Sequence, residues 1–139
     1  MIKYGSPEWV EAFMKNVNES KAYREAAKTW EGDFVFVTTP DGNLKEEIRI
    51  YCDLWHGKCR DAYLVSPERP APEKVEYIFA GKYSNWLKVF DGSLQPLKGV
   101  MMRKFKVDCS PKAMAKMMRA IKASLELVKC TKIDGVEYP

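Results

Sequence analysis

Apolar residues near the start of the chain recur at helical spacing. Trp9, Val10, Phe13, Met14 and Val17 fall on one face of a helix over residues 6 to 17. Ser6 can cap it, Pro7 suits its first turn, and Glu8 sits at the positive end of its dipole. A second short helix over residues 20 to 29 carries Tyr23, Ala26 and Ala27 toward Trp30, and Gly32 stops it. The period then changes. Phe34-Val-Phe-Val37 is apolar at every position, which predicts a strand covered on both faces. Pro40-Asp-Gly-Asn43 supplies a reversal. Alternation over residues 44 to 54 then places Ile48, Ile50, Cys52 and Leu54 on one side of a second strand.

Strands over residues 58 to 65 and 73 to 80 follow, separated by the proline-rich stretch "SPERPAPE", which predicts an irregular loop. Ser84 can cap a short helix with Trp86, Leu87, Val89 and Phe90, ended by Gly92. One or two helical turns cover 94 to 98, and Val100 to Val107 reads as a fifth strand. The last long helix spans 111 to 129 behind Ser110-Pro111. Met114, Met117, Met118, Ile121, Leu125 and Val128 form its stripe, and lysines and Arg119 lie opposite. The tail after Cys130 reads as short and weakly paired. The order α-α-β-β-β-β-α-β-α, with short turns between strands, predicts one α+β domain over residues 1 to 139. Its sheet is mostly antiparallel and its helices pack on one face.

Composition narrows the function classes. With 46% hydrophobic and 30% charged residues, the chain reads as globular rather than disordered. No apolar run approaches the roughly 20 residues of a membrane span. "MIKYGSPEWVEAF" lacks the apolar block of a secretory signal. Cysteines at 52, 59, 109 and 130 read as reduced thiols, so a cytoplasmic protein is expected. A net charge of +4, dispersed along the chain, suits a solvated surface or weak attraction to anionic headgroups; it does not point to nucleic acid.

The densest chemistry lies in "CDLWHGKC", residues 52 to 59, which holds the only histidine. Cys52, His56 and Cys59 offer three zinc-type ligands without a fourth nearby. A three-residue loop Trp55-His56-Gly57, with Gly57 at the left-handed position, pairs Leu54 with Lys58 and Cys52 with Arg60. That register keeps Ile48, Ile50, Cys52, Leu54, Ala62 and Leu64 on one face and turns Cys59 to the other. A two-residue His56-Gly57 turn unites the cysteines but displaces Ala62 and Leu64, so the first register is preferred. The stretch therefore reads as a hairpin tip, not a metal site or a Cys-His nucleophile pair. Glu46 and Glu47, adjacent on a strand, point to opposite faces and are read as edge charges rather than an acid-base pair. No catalytic residue, metal site or cofactor is expected.

Seven methionines, five of them at 101, 102, 114, 117 and 118, are the unusual feature. Methionine is unbranched and polarisable, and lines surfaces that accept several apolar shapes; at helical spacing it also serves as plain core.

The stretch "AGKYSNWLKVFDGSLQPLKGVMMRKFKV", residues 80 to 107, resembles the lipid-transfer domain of the type-2 sterol carrier protein family. The resemblance rests on Trp86, Asp91-Gly92, Leu94, Pro96-Leu97, Gly99 and Arg103-Lys-Phe-Lys106, and with the flanking elements extends over about residues 5 to 129. Val107-Asp108 departs from the glycine-aspartate that commonly ends the family strand. The resemblance implies a five-stranded sheet covered by helices around an apolar cavity or tunnel for fatty acyl chains, fatty acyl-CoA or sterol-like molecules. Trp86, Phe90, Leu97, Met102, Met114, Met118 and Ile121 are then the expected lipid-binding residues. Arg103, Lys104, Lys106 or the lysines at 112, 116, 122 and 129 would meet an anionic headgroup. Met102 and Phe105 have opposite strand parity, which calls for a bulge or a mixed face. The partners this implies are a lipid or acyl-CoA ligand, with transient membrane-surface contact and a homodimer compatible and nucleic acid not expected. The competing readings are an accessory or catalytic domain acting on a hydrophobic thioester, and a structural domain with a solid core.

Overall fold

The computed structural model describes residues 1–139. Helix α1 (Pro7–Glu19) begins as the sequence dictates. Ser6 accepts from the Trp9 amide, and Trp9, Val10, Phe13 and Val17 are buried. Helix α2 (Lys21–Ala26) is capped by Ser20 and buries Tyr23. It ends before Gly32, which lies inside the first long strand. Strand β1 (Ile2–Lys3) precedes both helices and pairs in parallel with β7 (Val136–Glu137), so the tail is tied to the first residues of the chain.

The main sheet has five strands: β2 (Glu31–Thr39), β3 (Ile48–Trp55), β4 (Lys58–Leu64), β5 (Tyr77–Lys82) and β6 (Phe105–Asp108). Their spatial order is β4-β3-β2-β5-β6. All neighbours are antiparallel except β2 and β5. The parallel pair follows from the proline-rich loop, which leaves the β4 edge and returns the chain to the far side of β2. Glu46 and Glu47 lie ahead of β3, which starts at Ile48, and not on a strand.

The unbroken apolar run of β2 is accounted for by burial on both faces. Phe34 and Phe36 join the main core with Ile50, Cys52, Leu54 and Phe79. Val35 and Val37 join a second cluster with Tyr51, Tyr63, Val75 and Ile78. Residues of the loop after β4 help to cover this second face. The Tyr63 hydroxyl donates to Pro70 O over 3.0 Å, and the Arg69 guanidinium lies 3.8 Å from the Tyr63 ring centre.

Helices α3 (Tyr83–Phe90), α4 (Pro96–Met101), α5 (Pro111–Met118) and α6 (Ile121–Lys129) complete the main-core side. Asp41, not Ser84, caps α3, by accepting from the Ser84 amide over 3.1 Å. Two expectations fail here. Residues 100 to 104 are not strand, because α4 runs on to Met101 and closes with Arg103 at φ 61°. The Arg103 amide donates to Val100 O and the Lys104 amide to Gly99 O, a helix-ending pattern in which glycine usually holds the left-handed position. The parity conflict around Met102 disappears, since the strand starts at Phe105, which faces inward. The single helix expected over 111 to 129 is two helices, broken at Arg119–Ala120. The break turns the stripe: Met117 is buried, whereas Ile121 and Leu125 are exposed.

The hairpin at residues 52 to 59 also differs. His56 and Gly57 both have positive φ, 51° and 79°, and form a two-residue turn with Trp55 opposite Lys58 and Leu54 opposite Cys59. One residue on, Asp53 pairs with Asp61 and Cys52 with Ala62, so Arg60 is an extra residue in β4. This bulge keeps Ala62 and Leu64 with the isoleucines while Cys59 joins Cys52 in the core. Bulged Arg60 lies outside, bonded to Asp53 over 3.0 Å and 4.5 Å above the Trp55 ring.

Candidate functional site

Between the sheet and the helices lies an apolar cavity of about 120 Å³. The sheet provides its floor, with Phe34 and Phe36 from β2, Ile50, Cys52 and Leu54 from β3, and Phe79 from β5. These positions alternate along each strand, so the pleat itself aims them at one space. The helices roof it with Trp9 and Phe13 (α1), Trp86 and Phe90 (α3), Leu97 (α4) and Met117 (α5). Ala123, Ser124, Leu127 and Val128 of α6 complete the cover. Nineteen of the twenty-two wall residues are hydrophobic and none carries a charge, so the space suits an apolar body and offers an ion no partner.

The wall has a stiff part and a loosely held part. Rings pack against rings across the stiff part: Phe34 on Phe36 at 4.9 Å, Trp86 on Phe105 at 4.8 Å, and Trp9 on Phe13 at 5.6 Å between centres. The Trp86 indole also donates to Val37 O over 3.0 Å, which locks it to β2. Phe105, behind Trp86, fits between two glycines; a Cβ on Gly81 would overlap its ring, and one on Gly99 would stand 2.7 Å from it. Gly99 thus serves close packing. Helix α6 is the loose part. It has no fully buried residue and no side-chain N-cap, although four of its residues form the wall.

Trp86, Phe90 and Leu97, expected from the sequence to contact lipid, stand in the wall. Met102, Met114, Met118 and Ile121 do not. Met102 is 51% and Ile121 54% exposed, as a result of the longer α4 and the broken last helix. The methionine that does reach the cavity is Met117. The floor residues and Trp9 are not among the expected ones, although the even-numbered alternation of β2 and β3 marks the floor in the sequence. Among the expected headgroup lysines, Lys116 is engaged by Glu76 and by Glu31 O, and Lys129 by Glu126.

The cysteine-histidine stretch splits in two. Cys52 is in the wall, and a hydrogen bond with Cys59 together with burial lifts its thiol above the usual range. Cys59 donates to Asp61 O, while Asn18 bonds the Cys59 backbone N–H and C=O over 2.8 and 2.9 Å. Burial raises the phenol of Tyr23, and the thiols of Cys59, Cys52 and Cys130 add to the rise. Burial also pushes Cys130 up to about 11. His56 is at the tip, its Nε2 2.6 Å from a Glu31 carboxylate oxygen. All four cysteines are free thiols.

Residues 10–122 match the sequence profile described as the SCP-2 sterol transfer family. A crystal structure of sterol carrier protein 2 superposes with a TM-score of 0.78 at 29% identity, covering 92% of this chain and 96% of that one. A conserved hypothetical protein from Thermus thermophilus gives 0.79 at 28% identity, over 94% of this chain and 89% of its own. Palmitated SCP2L2 from Aedes aegypti shares the fold alone, with a TM-score of 0.51 and 14% identity over 81% and 93% of the two chains. No curated protein sequence matches the chain at a significant level.

Proposed function

The chain belongs to the SCP-2 sterol transfer family, and on that footing we propose that its cavity takes up the apolar part of a lipid without transforming it. The ligand classes proposed are fatty acyl chains, fatty acyl-CoA and sterol-like molecules. The uncharged, almost wholly hydrophobic wall carries this reading. Each methylene withdrawn from water contributes about 0.8 kcal/mol, so a long chain needs few specific contacts.

Volume sets the mechanism. Cavities for drug-sized ligands measure roughly 300–1,000 Å³, against about 120 Å³ here. Uptake therefore requires the wall to move, and the movement is assigned to α6, which has no fully buried residue. Exposed Met101, Met102, Ile121 and Leu125, with Arg103 and Lys122 beside them in sequence, suit brief contact with an anionic membrane surface during exchange. No helix is long and apolar enough to cross a membrane. The thioester-acting alternative finds no supporting geometry at the cysteine-histidine stretch, where the Cys59 thiol bonds Asp61 O and the His56 ring meets Glu31.

Native mass spectrometry of gently purified protein, with displacement of a fluorescent fatty acid, tests the proposal. Copurifying lipid and saturable displacement are expected. Failure to bind any member of a panel of fatty acids, acyl-CoA and sterols would refute it.

A further inference from the structure

Three of the four tryptophans have an outlet for their indole N–H. Trp30 donates to Gly32 O and Trp86 to Val37 O, each over 3.0 Å, and Trp55 is 38% exposed. Trp9 has none. It is 4% exposed, it stands in the cavity wall, and its Nε1 is the one buried side-chain nitrogen or oxygen to which no other group of the chain is hydrogen-bonded.

A buried donor left unpaired is costly, so one that the chain itself does not satisfy calls for an acceptor from outside the chain. The surroundings do not relieve it. Trp9 stacks on Phe13 with 6° between planes, meets Tyr4 at 85°, and lies 6.2 Å from Phe90. An aromatic face is a far weaker acceptor than a carbonyl. The neighbouring Tyr4 hydroxyl bonds Thr38 Oγ1 over 2.8 Å and makes no bond to the indole.

We propose that the Trp9 indole N–H is the polar anchor of the cavity, donating to a neutral oxygen on the lipid taken up. That oxygen is a hydroxyl or an ester, thioester or ketone carbonyl. The inference rests on the lipid-binding reading above. Neutrality follows from the wall, which contains no charged side chain. A carboxylate drawn to Trp9 would be desolvated against one neutral donor with no counter-ion. An ionised fatty acid therefore keeps its head outside, whereas an alcohol, ester or sterol can bring its oxygen in.

The test is the indole region of a ¹H–¹⁵N spectrum of the whole protein, where four tryptophans give four signals and Trp9→Phe identifies one. The probes are 1-hexadecanol, methyl palmitate, hexadecane and palmitate at neutral pH. The alcohol and ester should move the Trp9 signal downfield as the bond forms. Hexadecane and palmitate should displace a fluorescent fatty acid without that downfield shift. Trp9→Phe, which keeps the aromatic ring, should lower the hexadecanol-to-hexadecane affinity ratio about tenfold. The anchor is refuted if hexadecanol and methyl palmitate displace the fluorophore while the Trp9 signal stays in place. An unchanged ratio in Trp9→Phe refutes it equally. If no probe binds, the lipid-binding reading itself fails and the anchor with it. The wild-type spectrum decides the matter even if the variant folds poorly.

Discussion

The side-chain amide of Gln95 donates to the hydroxyl of Ser124 over 2.9 Å and fastens the entry of α4 to α6. Both partners are used twice. Gln95 Oε1 accepts from the Lys98 amide as the cap of α4, and Ser124 Oγ donates to Ile121 O in the first turn of α6. Because α6 has no fully buried residue, this bond adds to the packing of Ala123, Leu127 and Val128 in holding the helix to the core. Ser124→Ala should cost about 0.5–1.5 kcal/mol. Hydrogen exchange of α6 amides should accelerate several-fold while β2 and β3 amides keep their rates. Unchanged α6 exchange would remove the latch from the mechanism.

Gly57 is pinned by position as well as by conformation. At φ 79° it needs the left-handed region, and a Cβ there would stand 2.6 Å from Arg24 O and 2.8 Å from Arg24 Cα, backbone atoms that cannot step aside. The hairpin tip thus docks on α2, helped by the His56 amide, which donates to Trp30 O over 2.7 Å. Gly42, at φ 57°, has open space around it. Gly42→Ala should therefore cost only the left-handed penalty, about 1–2 kcal/mol, and Gly57→Ala clearly more. Urea midpoints of the two variants give the comparison. Equal losses would mean that the tip is not held against α2.

These contacts show which parts of the fold can be read from the sequence. Helix α1 is legible because its cap, proline and apolar stripe agree, and the double burial of β2 because its run is apolar at both parities. The hairpin register is not. A bulge at Arg60 lets a two-residue turn and the isoleucine face coexist, and no local residue announces it. The ends of α4 and α5 are hidden for a related reason. Arg103 takes the place where glycine would have signalled a stop, and the break at Arg119–Ala120 has neither glycine nor proline. These two hidden ends displace Met102 and Ile121 from the expected wall. Trp9 falls on the inner face of α1 by its spacing alone, but the isolation of its N–H depends on long-range neighbours.

Alkali should destabilise the protein through its buried thiols and phenols. A thiol or phenol whose folded pKa lies above its unfolded value binds its proton longer in the folded state. Stability is then full below the unfolded pKa and falls as pH rises toward the folded one. Cys130 rises from 9.0 to about 11, and Cys52, Tyr4 and Tyr23 shift the same way, mainly through burial for the tyrosines and Cys130. The thermal midpoint should be level through neutral pH and decline from about pH 9 upward. Cys109, half-buried, should react with a thiol reagent before the three buried cysteines. A flat profile between pH 8 and 11 would contradict these shifts.

Filling the cavity separates stability from uptake. Ala123 is half-buried on α6 and stands in the wall. Leucine is nearly as good a helix former as alanine, so Ala123→Leu acts chiefly by the volume it adds. In a solid core the larger side chain would overpack and destabilise by about 1–3 kcal/mol. Into an apolar cavity of about 120 Å³ it brings new contacts instead. Cavity filling of this kind commonly yields about 0.5–2 kcal/mol, which for a chain of this size raises the thermal midpoint by a few degrees. The same side chain competes with lipid, so affinity for a fluorescent fatty acid should fall about tenfold. A variant that is both less stable and equally able to bind would show that the space does not receive the ligand. One that is more stable and binds poorly is the result expected of a lipid cavity kept small until its roof moves.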